Sequence, residues 1–114
     1  KIIDGEEVYK TVLKTSKGWK NSKNLMYVVG ATKAQFLSDI RVIVPESFLL
    51  VPGVGAQGGS LQEVCAHGMT KDVGLLINSS RGILYAANDS NFATAAAKQA
   101  TILQQQMEAI LDAR

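Results

Sequence analysis

The chain has 114 residues, of which 46% are hydrophobic and 19% charged, and its 12 Lys and Arg against 10 Asp and Glu leave a net charge of +2. Such a composition is that of a packed globular protein, and so small a charge argues against nucleic-acid or membrane partners. A single cysteine excludes an internal disulfide framework and fits a reducing, cytoplasmic compartment, while no apolar run reaches the length of a membrane span.

In chain order, residues 6–20 read as a helix, with Val8, Tyr9, Val12, Leu13 and Ser16 in two adjacent columns on a buried face and Lys10, Lys14 and Lys17 on a solvated one. A polar connector, Asn21-Ser22-Lys23-Asn24, precedes the apolar run Leu25-Met26-Tyr27-Val28-Val29, of the kind expected for a parallel strand covered on both sides. Gly30 ends it. Thr32 and Gln35 have the spacing of a capping box for a helix with the stripe Phe36, Leu37, Ile40 and Ile43, which Pro45 halts.

A second strand at residues 48–51 runs into a glycine-rich loop, after which Ser60 and Glu63 form another capping box, so that a short helix starts at Leu61 and stops at His67-Gly68. A third strand, Gly74-Leu75-Leu76-Ile77-Asn78, leads through Ser79-Ser80-Arg81-Gly82 to a short turn at residues 83–87. The last helix, capped by Asp89 or Ser90, carries the stripe Phe92, Ala96, Ala100, Leu103, Met107 and Ile110. Strands alternating with helices predict an α/β fold with a parallel sheet. Three strands alone leave open edges and bare apolar faces, so further strands are expected to close a barrel.

Pro52-Gly53-Val54-Gly55-Ala56-Gln57-Gly58-Gly59-Ser60 breaks a buried strand into a loop and opens a helix. Gly53, Gly55, Gly58 and Gly59 let the backbone approach a ligand closely, and the amides at the following helix start point at whatever is bound, so the loop reads as a phosphate site. Arg81 brings a guanidinium fork to the end of the next strand. A glycine loop and an Arg at consecutive strand ends match the phosphate site that (β/α)8 barrels build after strands 7 and 8.

Those two stretches, together with Val28-Val29-Gly30-Ala31-Thr32 upstream, resemble the C-terminal part of orotidine 5'-phosphate decarboxylase, over roughly residues 24–88. The resemblance implies that residues 1–114 are about strands 6 to 8 of a single TIM-barrel domain with their helices, and that the N-terminal half lies outside this chain. It implies that Gln57 and Arg81 grip the substrate phosphate, with the backbone amides of Ser80 and Arg81 as further donors, and that Pro52 and Val54 wall the pocket. Many relatives have Gly where Ser80 stands, which leaves its contact pattern open. The family's Asp-x-Lys-x-x-Asp run does not occur here, so no catalytic residue is expected in this segment, and the isolated fragment is expected to be inactive. Orotidine 5'-monophosphate as substrate, a homodimer of complete barrels and the absence of metal and organic cofactor are further implications.

Plainer readings stand beside these. Gln57 also suits a loop-stabilising amide, Arg81 a salt bridge at a barrel rim, and Pro52 ordinary loop rigidity. Asn78 and Ser79 suit capping, His67 the free carbonyls at a helix end, and Cys65 a small buried hydrophobe. Asp72, Asp89 and Asp112 are isolated acids without a partner Lys. A different phosphate-handling barrel, such as a sugar-phosphate decarboxylase, and a stand-alone phosphate-binding module are the alternatives in function.

Overall fold

The computed structural model describes residues 1–55 and 59–114. Its centre is a parallel sheet of three strands, β3 (Tyr27–Val28), β4 (Leu49–Pro52) and β5 (Leu75–Asn78), adjacent in chain order as the sequence predicts. Leu49 pairs with Tyr27 on one side and Leu75 on the other, and Pro52 with Asn78, so β4 and β5 end level. The helices are α1 (Val8–Lys17), α2 (Phe36–Ile43), α3 (Leu61–Gly68), α4 (Ser80–Leu84) and α5 (Phe92–Asp112).

Strand periodicity sends alternate side chains to opposite faces. Leu49, Val51 and Leu75 are buried in one core with Leu37, Ile40 and Ile43 of α2 and Leu61, Val64 and Cys65 of α3, and Tyr27, Val29 and Ile77 pack against it. On the other face Met26, Val28, Phe48 and Leu76 are exposed, Val28 to 69%. A parallel sheet that is apolar on both faces and covered on one is a section of barrel wall, its bare face the barrel interior.

Several local expectations are corrected. The Thr32 capping box does not form. Ala31–Lys33 is a 3-10 turn, and α2 starts only at Phe36, with Gln35 at its cap and no side-chain cap bond. The Ser60 cap does form, its hydroxyl accepting from the Glu63 amide at 3.3 Å. The loop after β5 is already helical from Ser80, and Asn91 holds the cap position of α5 without a side-chain cap bond, while the Asp89 carboxylate accepts from the Asn91 amide at 2.9 Å. The first helix spans a shorter stretch than residues 6–20, because an antiparallel hairpin, β1 (Ile2–Ile3) and β2 (Glu6–Glu7), precedes it. Asp4 and Gly5 turn that hairpin with φ of +52° and +81°, the left-handed pair that a two-residue hairpin turn requires.

The α1 face buries two hydroxyls: Ser16 Oγ lies 2.7 Å from the Leu13 carbonyl, to which it donates, and 2.6 Å from Tyr27 Oη, whereas Tyr9 Oη has no hydrogen-bond partner among the described residues. Lys17 Nζ reaches the Ile43 carbonyl at the end of α2, at 2.5 Å. Among the described residues no helix is long and apolar enough to cross a membrane.

Candidate functional site

The candidate site is built where β3, β4 and β5 all end. Past Pro52 the backbone enters the left-handed region twice, at Gly53 (φ +91°) and Gly55 (φ +86°), conformations that side chains with a Cβ resist. The loop then closes on itself, with the Gly55 amide donating to the Gly59 carbonyl at 3.0 Å and the Gly59 amide to the Gly53 carbonyl at 3.1 Å. These bonds staple the neck of the loop. Its tip, Ala56, Gln57 and Gly58, lies outside the described residues, and with it the roles expected of Gln57 and Gly58.

The neck is wedged between the two neighbouring strand ends. A Cβ on Gly59 would lie 2.5 Å from Cβ of Ala31, just after β3, and 2.6 Å from the Gly53 carbonyl oxygen, so only glycine fits. On the other side Ser79, just after β5, donates from Oγ to the Val54 carbonyl at 2.9 Å. The loop after β4 is therefore in contact with both of the other strand-end stretches singled out in the sequence, at one end of the sheet.

Val54 itself is buried with the core, whereas Pro52 is half-buried, in register with Leu50 and thus toward the bare face. Ser80 and Arg81 open α4 directly beside the loop. Ser80 Oγ turns back to Asn78 Oδ1 at 3.1 Å. The Arg81 side chain is exposed and makes no salt bridge among the described residues. An exposed guanidinium and the leading amides of α4, next to a glycine neck, are donors without a competing acid, an arrangement suited to an anion.

The remaining candidates sit elsewhere. His67 lies at the opposite end of α3 from the loop, and its Nδ1 bonds Ser38 Oγ at 2.7 Å, so it ties α3 to α2 where the sequence suggested carbonyl capping. Cys65 is buried, and burial pushes its thiol up from the ordinary value. Among the described residues no three His, Cys, Asp or Glu side chains gather as metal ligands. The residue that sequence reasoning missed is Ser79, read as a cap. Its position between two glycine-bearing loops is visible only once the strands are side by side.

No protein-family model matches the chain. It is 65% identical over 107 residues to orotidine 5'-phosphate decarboxylase of Christiangramia forsetii, and 60% identical over 111 residues to that of Flavobacterium johnsoniae. These matches cover 94% and 97% of this chain but 39% and 41% of the relatives, so the chain spans about two-fifths of the length of the curated relatives it matches. Among solved structures it superposes on Leishmania donovani UMP synthase with a TM-score of 0.74 at 34% identity, over 96% of this chain and 23% of that one. On Leishmania donovani OMP decarboxylase the TM-score is 0.71 at 31% identity, over 96% of this chain and 40% of that one. In sequence and in fold, the chain corresponds to part of the orotidine 5'-phosphate decarboxylase barrel.

Proposed function

We propose that this chain is the C-terminal part, strands 6 to 8 and their helices, of an enzyme that converts orotidine 5'-monophosphate to UMP and carbon dioxide in pyrimidine biosynthesis. Its role there is to hold the 5'-phosphate. The observation that carries this reading is the contact of three strand-end loops through Gly59 with Ala31 and Ser79 with Val54, with Arg81 beside them. In this assignment Arg81 grips two phosphate oxygens, the amides of Ser80 and Arg81 and the side chain of Gln57 add donors, and the loop glycines let the backbone come close. Pro52 shapes the wall near the ribose and base, and Val54, buried in the core, supports that wall from behind.

No acid and Lys run of the family type is present in this chain. The carboxylate-bearing carbon is therefore served by residues outside it, and the Lys that protonates C6 belongs to the remaining three-fifths of the enzyme. Phosphate contacts far from that carbon contribute by holding a closed, dry site, which is how remote binding energy lowers a barrier. The assignment includes a cytoplasmic homodimer of complete barrels and chemistry without metal or organic cofactor.

The test is turnover. The complete enzyme should decarboxylate orotidine 5'-monophosphate, the 114-residue chain alone should not, and adding a separately expressed N-terminal portion should restore activity. Turnover by the isolated chain, or none by the complete enzyme, would overturn the proposal.

A further inference from the structure

We infer that Ser79 is a positioning residue that latches the loop after β4 to the loop after β5 and so sets the spacing of the phosphate donors, an inference that rests on the phosphate reading above. Ser79 holds the cap position of α4, yet its side chain makes no cap bond. A serine there ordinarily accepts from an amide of the first turn. Here Oγ instead donates across 25 residues of chain to the Val54 carbonyl at 2.9 Å.

Both partners are prepared for this bond. The Val54 carbonyl is carried between Gly53 and Gly55, whose φ values of +91° and +86° orient the flanking peptides. Ser79 in turn has small neighbours: an added Cβ would lie 2.8 Å from Oγ at Gly82 and 3.4 Å at Gly55. A side chain on Gly82 would displace the hydroxyl. The glycines thus do two things, giving the backbone its turns and keeping a slot open for the serine.

The consequence is geometric. Arg81 and the leading amides of α4 belong to one loop and the glycine neck to the other, and a phosphate held between the two loops needs them at fixed separation. Ser79–Val54 is the direct side-chain bond between the two among the described residues. Because the hydroxyl donates to a carbonyl inside the protein, Ser79 acts through the loops and does not itself touch the phosphate.

The test uses the complete enzyme with Ser79→Ala, Arg81→Ala and the double variant, assayed on orotidine 5'-monophosphate and on orotidine, which lacks the phosphate. Ser79→Ala should lower kcat/KM for the phosphorylated substrate about fivefold, as expected for one hydrogen bond, chiefly through KM, and leave kcat/KM for orotidine within about twofold. The double variant should be no more than about twofold worse than Arg81→Ala, since both changes act on the same contacts. An equal loss on both substrates, no loss on the phosphorylated one, or fully multiplicative effects in the double variant would overturn the latch. If Ser79→Ala fails to fold, Ser79→Thr, which keeps the hydroxyl, takes its place with Gly82→Ala as the slot-filling variant. Then Gly82→Ala should show the phosphate-dependent loss and Ser79→Thr a smaller one, and the reverse order would overturn the latch. Should Arg81→Ala impair both substrates alike, the phosphate reading itself falls. Loss confined to the phosphorylated substrate in Arg81→Ala, but not in Ser79→Ala, leaves that reading standing and removes the latch.

Discussion

Arg41 Nη2 donates to the Gly74 carbonyl at 2.9 Å, joining α2 to the start of β5 across 33 residues of chain. The same guanidinium donates from Nε to the Gly68 carbonyl at 2.6 Å and from Nη1 to the carbonyls of Val44 and Ser47 at 3.1 and 2.5 Å. The Val44 and Gly68 oxygens lie at the ends of α2 and α3, where helices leave carbonyls without partners, and the Ser47 and Gly74 oxygens lie at the approaches to β4 and β5, the Gly74 oxygen also accepting from the Leu49 amide at 2.9 Å. Burial lowers the Arg41 pKa from its ordinary value, and four carbonyls compensate the charge.

Arg41→Ala in the complete enzyme should therefore cost about 2–4 kcal/mol, since a hydrogen bond to a charged group contributes roughly 1.5–3 kcal/mol and the released carbonyls are partly buried. Arg41→Lys should recover less than half, because a point charge cannot address four oxygens in a fork. Urea unfolding measures both, and a loss below about 1 kcal/mol for Arg41→Ala would show the carbonyls rehydrate freely. Arg41 lies at the end of the sheet opposite the glycine loop and Arg81, so kcat/KM of the folded variant should be unchanged.

Gly59→Ala should act at the other end. Its Cβ would meet Ala31 Cβ at 2.5 Å and the Gly53 carbonyl oxygen at 2.6 Å. The second is backbone, so the loop neck must shift. Affinity for orotidine 5'-monophosphate should fall at least about tenfold, with a modest loss of stability of about 1–3 kcal/mol, the range for forced overpacking. Ala31→Gly added to Gly59→Ala relieves the first clash and not the second, so it should restore part of the stability and little of the affinity. Calorimetric titration with UMP, the product of the proposed reaction, is the readout.

The difference between these two ends marks what was legible in the sequence. Strand order, the Ser60 cap and the glycine turn after β4 could be read because Leu49-Leu50-Val51, Ser60-x-x-Glu63 and Pro52-Gly53-x-Gly55 encode them locally. The Asp4-Gly5 hairpin was equally local, with the turn pair flanked by Ile3 and Glu6, but so short a strand has no alternation to accompany the turn signal. Thr32 and Gln35 had the right spacing for a cap, and tertiary packing overruled it. Ala31 is pressed against Gly59, and the chain turns as a 3-10 segment before α2 can begin. Arg41 and Ser79 were illegible for one reason: their partners are carbonyls, which every residue has, so no side-chain pattern announces the contact.

Cys65 gives a pH-dependent expectation. Its thiol is pushed up by burial in α3, so folding favours the neutral form. The stability from this preference is fully present below the unfolded thiol value of about 8.5 and is lost as pH rises toward the folded value. Between pH 7.5 and 9.5 the urea midpoint should fall more in the natural protein than in Cys65→Ala. Iodoacetamide at pH 8 should label the native thiol far more slowly than the unfolded one, and equal rates would show that the side chain is accessible.

Arg81→Ala in the complete enzyme tests the phosphate assignment most directly. Arg81 is exposed and without a salt bridge among the described residues, so its removal has little to break in the free protein, and thermal stability should change by less than about 0.5 kcal/mol. A charge-assisted contact to a phosphate dianion contributes about 1.5–3 kcal/mol, so kcat/KM on orotidine 5'-monophosphate should fall at least about tenfold, ~1.4 kcal/mol being a factor of ten. Arg81→Lys should recover part of this, keeping the charge and losing the fork. On orotidine the loss should largely vanish, because there is no phosphate to hold. Equal impairment on both substrates, accompanied by a lowered melting temperature, would mean that Arg81 supports the barrel rim and that another group reads the phosphate.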